Sequence, residues 1–203
     1  MKIILQLVIT CAIALFLCNT VRAEASAQTI KNLNMAFQGE SNASHRYAKF
    51  AEKADKEGYP EVAKLFRATS ASEAIHRDNH KEVILQLGGK VDEFELEPVT
   101  VGTTAENLKA AIKGETYEVD SMYPEFLALA KKEDVRPAMR TFRFAMETEK
   151  AHAKLYQAAL DSLGKSQKVN YFVCKVCGMT VTELPKEKCE VCRKPVDEYK
   201  EIK

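Results

Sequence analysis

The chain has 203 residues, 46% apolar and 29% charged, with 30 basic side chains against 29 acidic ones. That is enough apolar material for a core, and it excludes a disordered, collagen-like or polytopic membrane protein. A net charge of +1 leaves no basic surplus for binding nucleic acid by counterion release, so no nucleic-acid partner is expected.

Residues 1–23 place Lys2 before a nearly unbroken apolar run from Ile3 to Cys18, then a polar break at Asn19-Thr20 and small residues at Ala23, Ala25 and Ala27. These are the three zones of a secretory signal, with cleavage expected after Ala23 or Ala25 and a periplasmic or otherwise exported mature chain. The run is short for a transmembrane span. An uncleaved anchor is therefore the second reading, and no stable membrane span is expected after cleavage. Cys11 and Cys18 leave with the signal. The other four cysteines, Cys174, Cys177, Cys189 and Cys192, form two Cys-x-x-Cys pairs, which is metal spacing rather than a disulfide staple.

From Gln28 to about Gly164 apolar residues recur at three- and four-residue intervals in an Ala-, Glu- and Lys-rich background, which predicts helices. Gly58-Tyr59-Pro60 separates helices over 28–57 and 60–87, and Gly88-Gly89 ends the second. Residues 90–103, with Pro98 and Gly102, read as an extended crossover. A third helix is predicted from Thr104 to about Lys132 and a fourth from about Val135 to Leu163. Two hairpins joined by one long crossover have the connectivity of an all-α ferritin-like four-helix bundle.

The hairpins are repeats of each other. At an offset of 76, Tyr47 maps to Tyr123, Phe50 to Phe126, Phe66-Arg67 to Phe142-Arg143, and Glu73-x-x-His76 to Glu149-x-x-His152. Gly39-Glu40 maps to Gly114-Glu115 at an offset of 75, a one-residue slip. Residues three apart share a helix face, so Glu73 with His76, and Glu149 with His152, can reach one metal. With Glu40 and Glu115 they form the carboxylate–histidine set of a di-iron bundle. Carboxylates can bridge and neutralise two cations, and one imidazole per ion suits iron. Two ferrous ions side by side can each give one electron to peroxide. Glu118, three residues after Glu115, is a seventh candidate that would let one iron change ligands. Tyr47 and Tyr123 lie on the faces of Glu40 and Glu115, either as phenols hydrogen-bonded to the ligands or as core residues. His45 and His80 fit no ligand face and read as surface residues.

Residues 171–192 (YFVCKVCGMTVTELPKEKCEVC) make two knuckles that together form an S4 site for zinc or a single iron. Gly178 allows the tight turn after Cys177, and Tyr171, Phe172 and Tyr199 offer a small aromatic core. A unit of this size needs such a metal to fold.

The segments GES at 39–41, SEAIH at 72–76, GETYE at 114–118, MYP at 122–124, ETEKAH at 147–152 and the CKVCG and CEVC knuckles resemble the rubrerythrin family over essentially the whole mature chain. After the signal read over 1–23, the resemblance implies a ferritin-like di-iron domain over 24–166 and a β-rich rubredoxin-like Fe(Cys)4 domain over 167–203. It implies reduction of hydrogen peroxide to water, with electrons from a donor protein passing through the rubredoxin-like iron. The implied di-iron ligands are Glu40, Glu73, His76, Glu115, Glu118, Glu149 and His152, with His76 and Glu118 exchanging on one iron. Catalytic roles fall to these two and to Tyr47 and Tyr123. A head-to-tail homodimer is implied, one subunit's rubredoxin centre serving its partner's di-iron site. This chain departs from the family in Glu190, where Pro is common, in Arg193-Lys194, where a small residue is usual, and in its signal sequence. The alternatives are a ferroxidase or iron store with a structural zinc knuckle, and a non-catalytic zinc-stabilised module.

Overall fold

The computed structural model describes residues 27–165 and 168–203 with their side chains, so the signal sequence expected over residues 1–23 lies outside the described residues. Helices α1 (Lys2–Lys56) and α2 (Pro60–Gln86) form the first hairpin. Gly58 turns the chain at φ +80°, a conformation that suits glycine, and Pro60 starts α2 where a backbone N–H would have no helical partner. The crossover contains neither helix nor strand. Its backbone is held instead by asparagines of α1: Asn34 accepts from the Asp92 N–H at 2.9 Å, and Asn42 from the Glu97 N–H at 3.0 Å.

The second hairpin is α3 (Thr104–Tyr117), a π turn (Glu118–Met122), α4 (Tyr123–Lys132) and α5 (Arg136–Asp161). Thr103 and Glu106 form a reciprocal capping box at the start of α3. The π turn explains the slip in the repeat. Glu40 and Tyr47 are seven residues apart, whereas Glu115 and Tyr123 are eight apart. A π turn absorbs one extra residue, so both side chains of the second hairpin still face inward.

Two apolar clusters flank a polar layer at mid-bundle. One holds Tyr47, Phe50, Phe66 and Tyr156; the other holds Leu33, Tyr123, Phe126 and Phe142. The repeat-related pairs Phe50–Phe66 and Phe126–Phe142 have ring centroids 5.4 Å apart in both halves. Truncating a buried Phe of this kind to Ala costs about 3–5 kcal/mol.

The C-terminal unit is a three-stranded antiparallel sheet, ordered β2 (Thr180–Val181), β1 (Tyr171–Cys174), β3 (Tyr199–Ile202). Its aromatic residues divide differently from the sequence expectation. Tyr171 and Val173 are buried in the bundle's own core cluster, while Tyr199 packs on the cysteines. The sheet thus lies on α2 and α5 and is sealed by their apolar surface. No helix among the described residues is long and apolar enough to cross a membrane.

Candidate metal centres

Four of the five bundle helices deliver the expected constellation to the mid-bundle layer. Glu40 comes from α1, Glu73 and His76 from α2, Glu115 from α3, and Glu149 and His152 from α5; none is more than 2% exposed. Their ligand atoms form two overlapping sets, Glu40–Glu73–His76–Glu149 and Glu73–Glu115–Glu149–His152, each with its atoms within 4.8 Å of one another. Glu73 and Glu149 belong to both. Glu149 turns Oε1 to His76 Nδ1 at 2.8 Å and Oε2 to His152 Nδ1 at 2.6 Å. Glu73 likewise turns Oε2 to His76 at 3.0 Å and Oε1 to His152 at 3.1 Å. That is the disposition of two carboxylates bridging two cations.

Both oxygens of Glu73 and Glu149, Oε2 of Glu40, and Nδ1 of both histidines are buried without a hydrogen-bond partner. Unpaired carboxylate oxygens are costly away from water unless a cation sits among them. Four carboxylates neutralise two divalent ions, and hard oxygen donors with one imidazole each suit iron. The residues therefore fit a di-iron centre.

The outer partners orient these ligands. His76 Nε2 donates to the Cys177 carbonyl at 3.0 Å, and His152 Nε2 meets Thr180 Oγ1 at 3.0 Å, which leaves both Nδ1 atoms aimed inward. The tyrosines cross between the halves. Tyr47 O–H donates to Glu115 Oε1 at 2.6 Å, and Tyr123 O–H donates to Glu40 Oε1. Burial and the adjacent carboxylates push both phenols well above their usual range, so they stay protonated donors.

Burial pushes the Glu73 and Glu115 carboxyls up, and the nearby Glu149 carboxylate adds to it. At Glu40 burial acts the same way but is outweighed by His76 and His80, which hold the carboxyl at about 2. His152 rises to about 9 because Glu73 and Glu149 outweigh its burial. Cations entering this layer displace those protons, which ties metal affinity to pH.

Glu118 opens the π turn and lies outside both four-residue sets. Burial and the carboxylates of Glu40, Glu149 and Glu73 hold its carboxyl well above the usual range. His45 is partly exposed, as expected. His80 corrects the sequence reading: it is fully buried, with Thr141 Oγ1 3.0 Å from Nδ1 and Tyr123 O–H 3.2 Å from Nε2. The missed signal is its spacing of four residues from His76, which puts both on the inward face of α2. Burial lowers the His80 pKa.

Cys174, Cys177, Cys189 and Cys192 form a third set, with Sγ pairs 3.7 Å and 3.6 Å apart, and fit a single Fe(Cys)4 ion. Loop 176–180 presses this site onto the bundle. Asn79 Nδ2 donates to the Val176 carbonyl at 2.9 Å and Ser72 Oγ to the Gly178 carbonyl at 2.7 Å. Gly178 has φ +80°, and a Cβ there would lie 2.4 Å from His76 Nε2, so glycine serves both the turn and the close approach.

A ferritin-like bundle with a dinuclear carboxylate–histidine centre, joined to a four-cysteine iron knuckle, defines the class. The rubrerythrin family model matches residues 31–160, and the chain belongs to that family. Rubrerythrin-2 of Clostridium acetobutylicum is 36% identical over 179 residues, covering 86% of this chain and 96% of its own length. The solved mixed-valence structure of nigerythrin has a TM-score of 0.79 at 31% identity, covering 85% of this chain and 86% of its own. Bacterioferritin of Mycobacterium tuberculosis, at 21% identity and a TM-score of 0.63 over 68% of this chain and 87% of its own, shares the bundle fold. At the level of the family this is a di-iron, peroxide-related oxidoreductase function.

Proposed function

We propose that the protein is a peroxidase that reduces hydrogen peroxide to two waters at the bundle centre, with electrons relayed from the four-cysteine iron. The observation that carries this reading is the 3.0 Å contact between the Cys177 carbonyl and His76 Nε2. It links a cysteine ligand of one centre to an imidazole ligand of the other through a single hydrogen bond. An iron store has no use for such a link.

The di-iron pair supplies two electrons, and peroxide takes these with two protons as its O–O bond breaks. The chain's residues provide the rest. Glu73 and Glu149, common to both ligand sets, would hold the two ions together, and Tyr47 and Tyr123 fix Glu115 and Glu40 by hydrogen bonds. Glu118, at the start of the π turn, is a fifth carboxylate that interacts electrostatically with Glu40, Glu149 and Glu73. Four would balance a diferrous pair, so a fifth would answer the extra charge of a diferric pair, with neutral His76 as its alternative ligand. Its place on the π turn, where the helical ladder is already relaxed, suits a side chain that must move.

The N-terminal pattern supports export, which makes the donor a protein of the outer compartment. The link to His76 is made within one chain; a head-to-tail pair of copies exchanging knuckles would make the same contact in trans. The relay is tested by loading zinc into the cysteine site while the bundle keeps iron. Chemically reduced protein should then still consume one round of peroxide and fail to turn over with a protein donor. Full turnover with zinc in the knuckle would overturn the relay.

A further inference from the structure

The two halves of the bundle are not equivalent around their carboxylates. In one half Thr141, His80, Tyr123 and Glu40 form a continuous chain of hydrogen bonds. Only one polarity satisfies every link. The single hydrogen of Tyr123 goes to the Glu40 carboxylate, so the phenol oxygen accepts from His80 Nε2–H. His80 Nδ1 then accepts from the Thr141 hydroxyl. In the other half the repeat places Tyr156 where α2 has His80, at the offset of 76. The Tyr156 hydroxyl pairs with Thr69 Oγ1, and its ring sits 5.5 Å from that of Tyr47 without a hydrogen bond between the two hydroxyls among the described residues. Tyr47 instead has the Arg46 guanidinium 5.5 Å from its ring centroid.

We infer that His80 is a positioning residue that makes the two irons unequal, by strengthening the Tyr123 hydrogen bond to Glu40. Hydrogen bonds aligned in series polarise one another. A donor chain ending on Glu40 draws electron density from that carboxylate and weakens it as an iron ligand. The ferrous ion tolerates a weaker anionic donor better than the ferric ion does. The iron of the Glu40–His76 set is therefore reduced first, and it stays ferrous when the pair holds one electron. The iron reduced first is also the one whose imidazole ligand contacts Cys177, so the relayed electron arrives where it is best accommodated.

The inference rests on the di-iron assignment and not on the peroxide reaction, because its readout needs no peroxide. The experiment is an anaerobic redox titration of the iron-loaded full chain, following the mixed-valence signal by electron paramagnetic resonance. His80→Leu should lower the higher of the two midpoint potentials and leave the lower one in place. The constant for forming the mixed-valence pair should then fall roughly two- to fivefold, from the fraction of a charge-assisted bond that chain polarisation supplies. His80→Gln, whose amide N–H can meet Tyr123, should restore the parental titration. Tyr156→Phe, in the matching place, should leave both midpoints unchanged. Thr141→Val should move the higher midpoint in the same direction by less, and it decides the matter if His80→Leu does not load two irons. Parental midpoints in an iron-loaded His80→Leu or Thr141→Val protein would overturn the inference. So would an equal narrowing in Tyr156→Phe.

Discussion

The bundle centre and the cysteine centre are built on opposite plans. The six bundle ligands come from four helices and run from residue 40 to residue 152, whereas the four cysteines lie between residues 174 and 192. The bundle site exists only once the whole fold has formed, and it concentrates like charges that only cations relieve. The cysteine site organises its own short sheet, but its loop is shaped to fit the bundle's histidines. One centre is made by the fold, and the other helps to make its fold. Their contact is the hydrogen bond between the Cys177 carbonyl and His76.

The difference predicts that the centres fail separately. Glu73→Ala or Glu149→Ala removes a bridging ligand from both bundle sets, and should empty the bundle of iron while the cysteine site stays loaded. Metal analysis beside the visible spectrum of the Fe(Cys)4 ion checks this, and unchanged iron content would break the ligand assignment. Tyr123→Phe and Tyr47→Phe each remove one hydrogen bond to a ligand carboxylate. Each should lower bundle iron affinity by about 10–100-fold, read by competition with a chelator, with no effect on the knuckle.

Gly178→Ala removes no ligand and acts first on the contact between the centres. The left-handed conformation costs a residue with a side chain about 1–3 kcal/mol, and the added Cβ meets His76. Both centres should remain loaded while turnover with a protein donor falls severalfold. A variant that turns over like the parent would show that the contact does not carry electrons.

The smallest effect concerns the frame that both centres share. Glu57 accepts from the hydroxyl and the N–H of Thr104, joining the first hairpin to the start of α3. The Thr104 bonds and then Lys53 hold its carboxyl at about 2, below the ordinary 4.5. A lowered folded-state pKa means stability that is present above pH 4.5 and lost as the pH falls from there toward 2. Glu57→Gln should therefore unfold at a lower temperature than the parent near neutrality, and the gap should close through that acid window. A gap that is constant with pH would show that the carboxylate charge contributes nothing.

Much of this was legible in the residues. The Cys-x-x-Cys pairs announced their site because local spacing alone sets it. The paired Glu-x-x-His motifs did so because the repeat returns them to one layer. What stayed hidden depended on how helices meet. Spacing cannot say that Glu73 and Glu149 are the shared pair, since bridging is a relation among four helices. The one-residue slip between Glu40–Tyr47 and Glu115–Tyr123 was visible, but its meaning as a π turn is a matter of backbone hydrogen bonding. His80 was misplaced because burial of a lone histidine depends on partners, Tyr123 and Thr141, more than 40 residues away. Tyr171 was assigned to a separate small core because nothing local shows that the sheet lies on α2.

The proposed reduction of peroxide at the bundle centre, refilled by the cysteine iron, is tested by stopped-flow oxidation of the fully reduced protein. Hydrogen peroxide and oxygen are compared as separate oxidants, following both iron centres. Peroxide should be the faster oxidant, the bundle irons should be oxidised first, and the cysteine iron should then lose its electron to them. Faster reaction with oxygen, or oxidation of the cysteine iron ahead of the bundle, would contradict it.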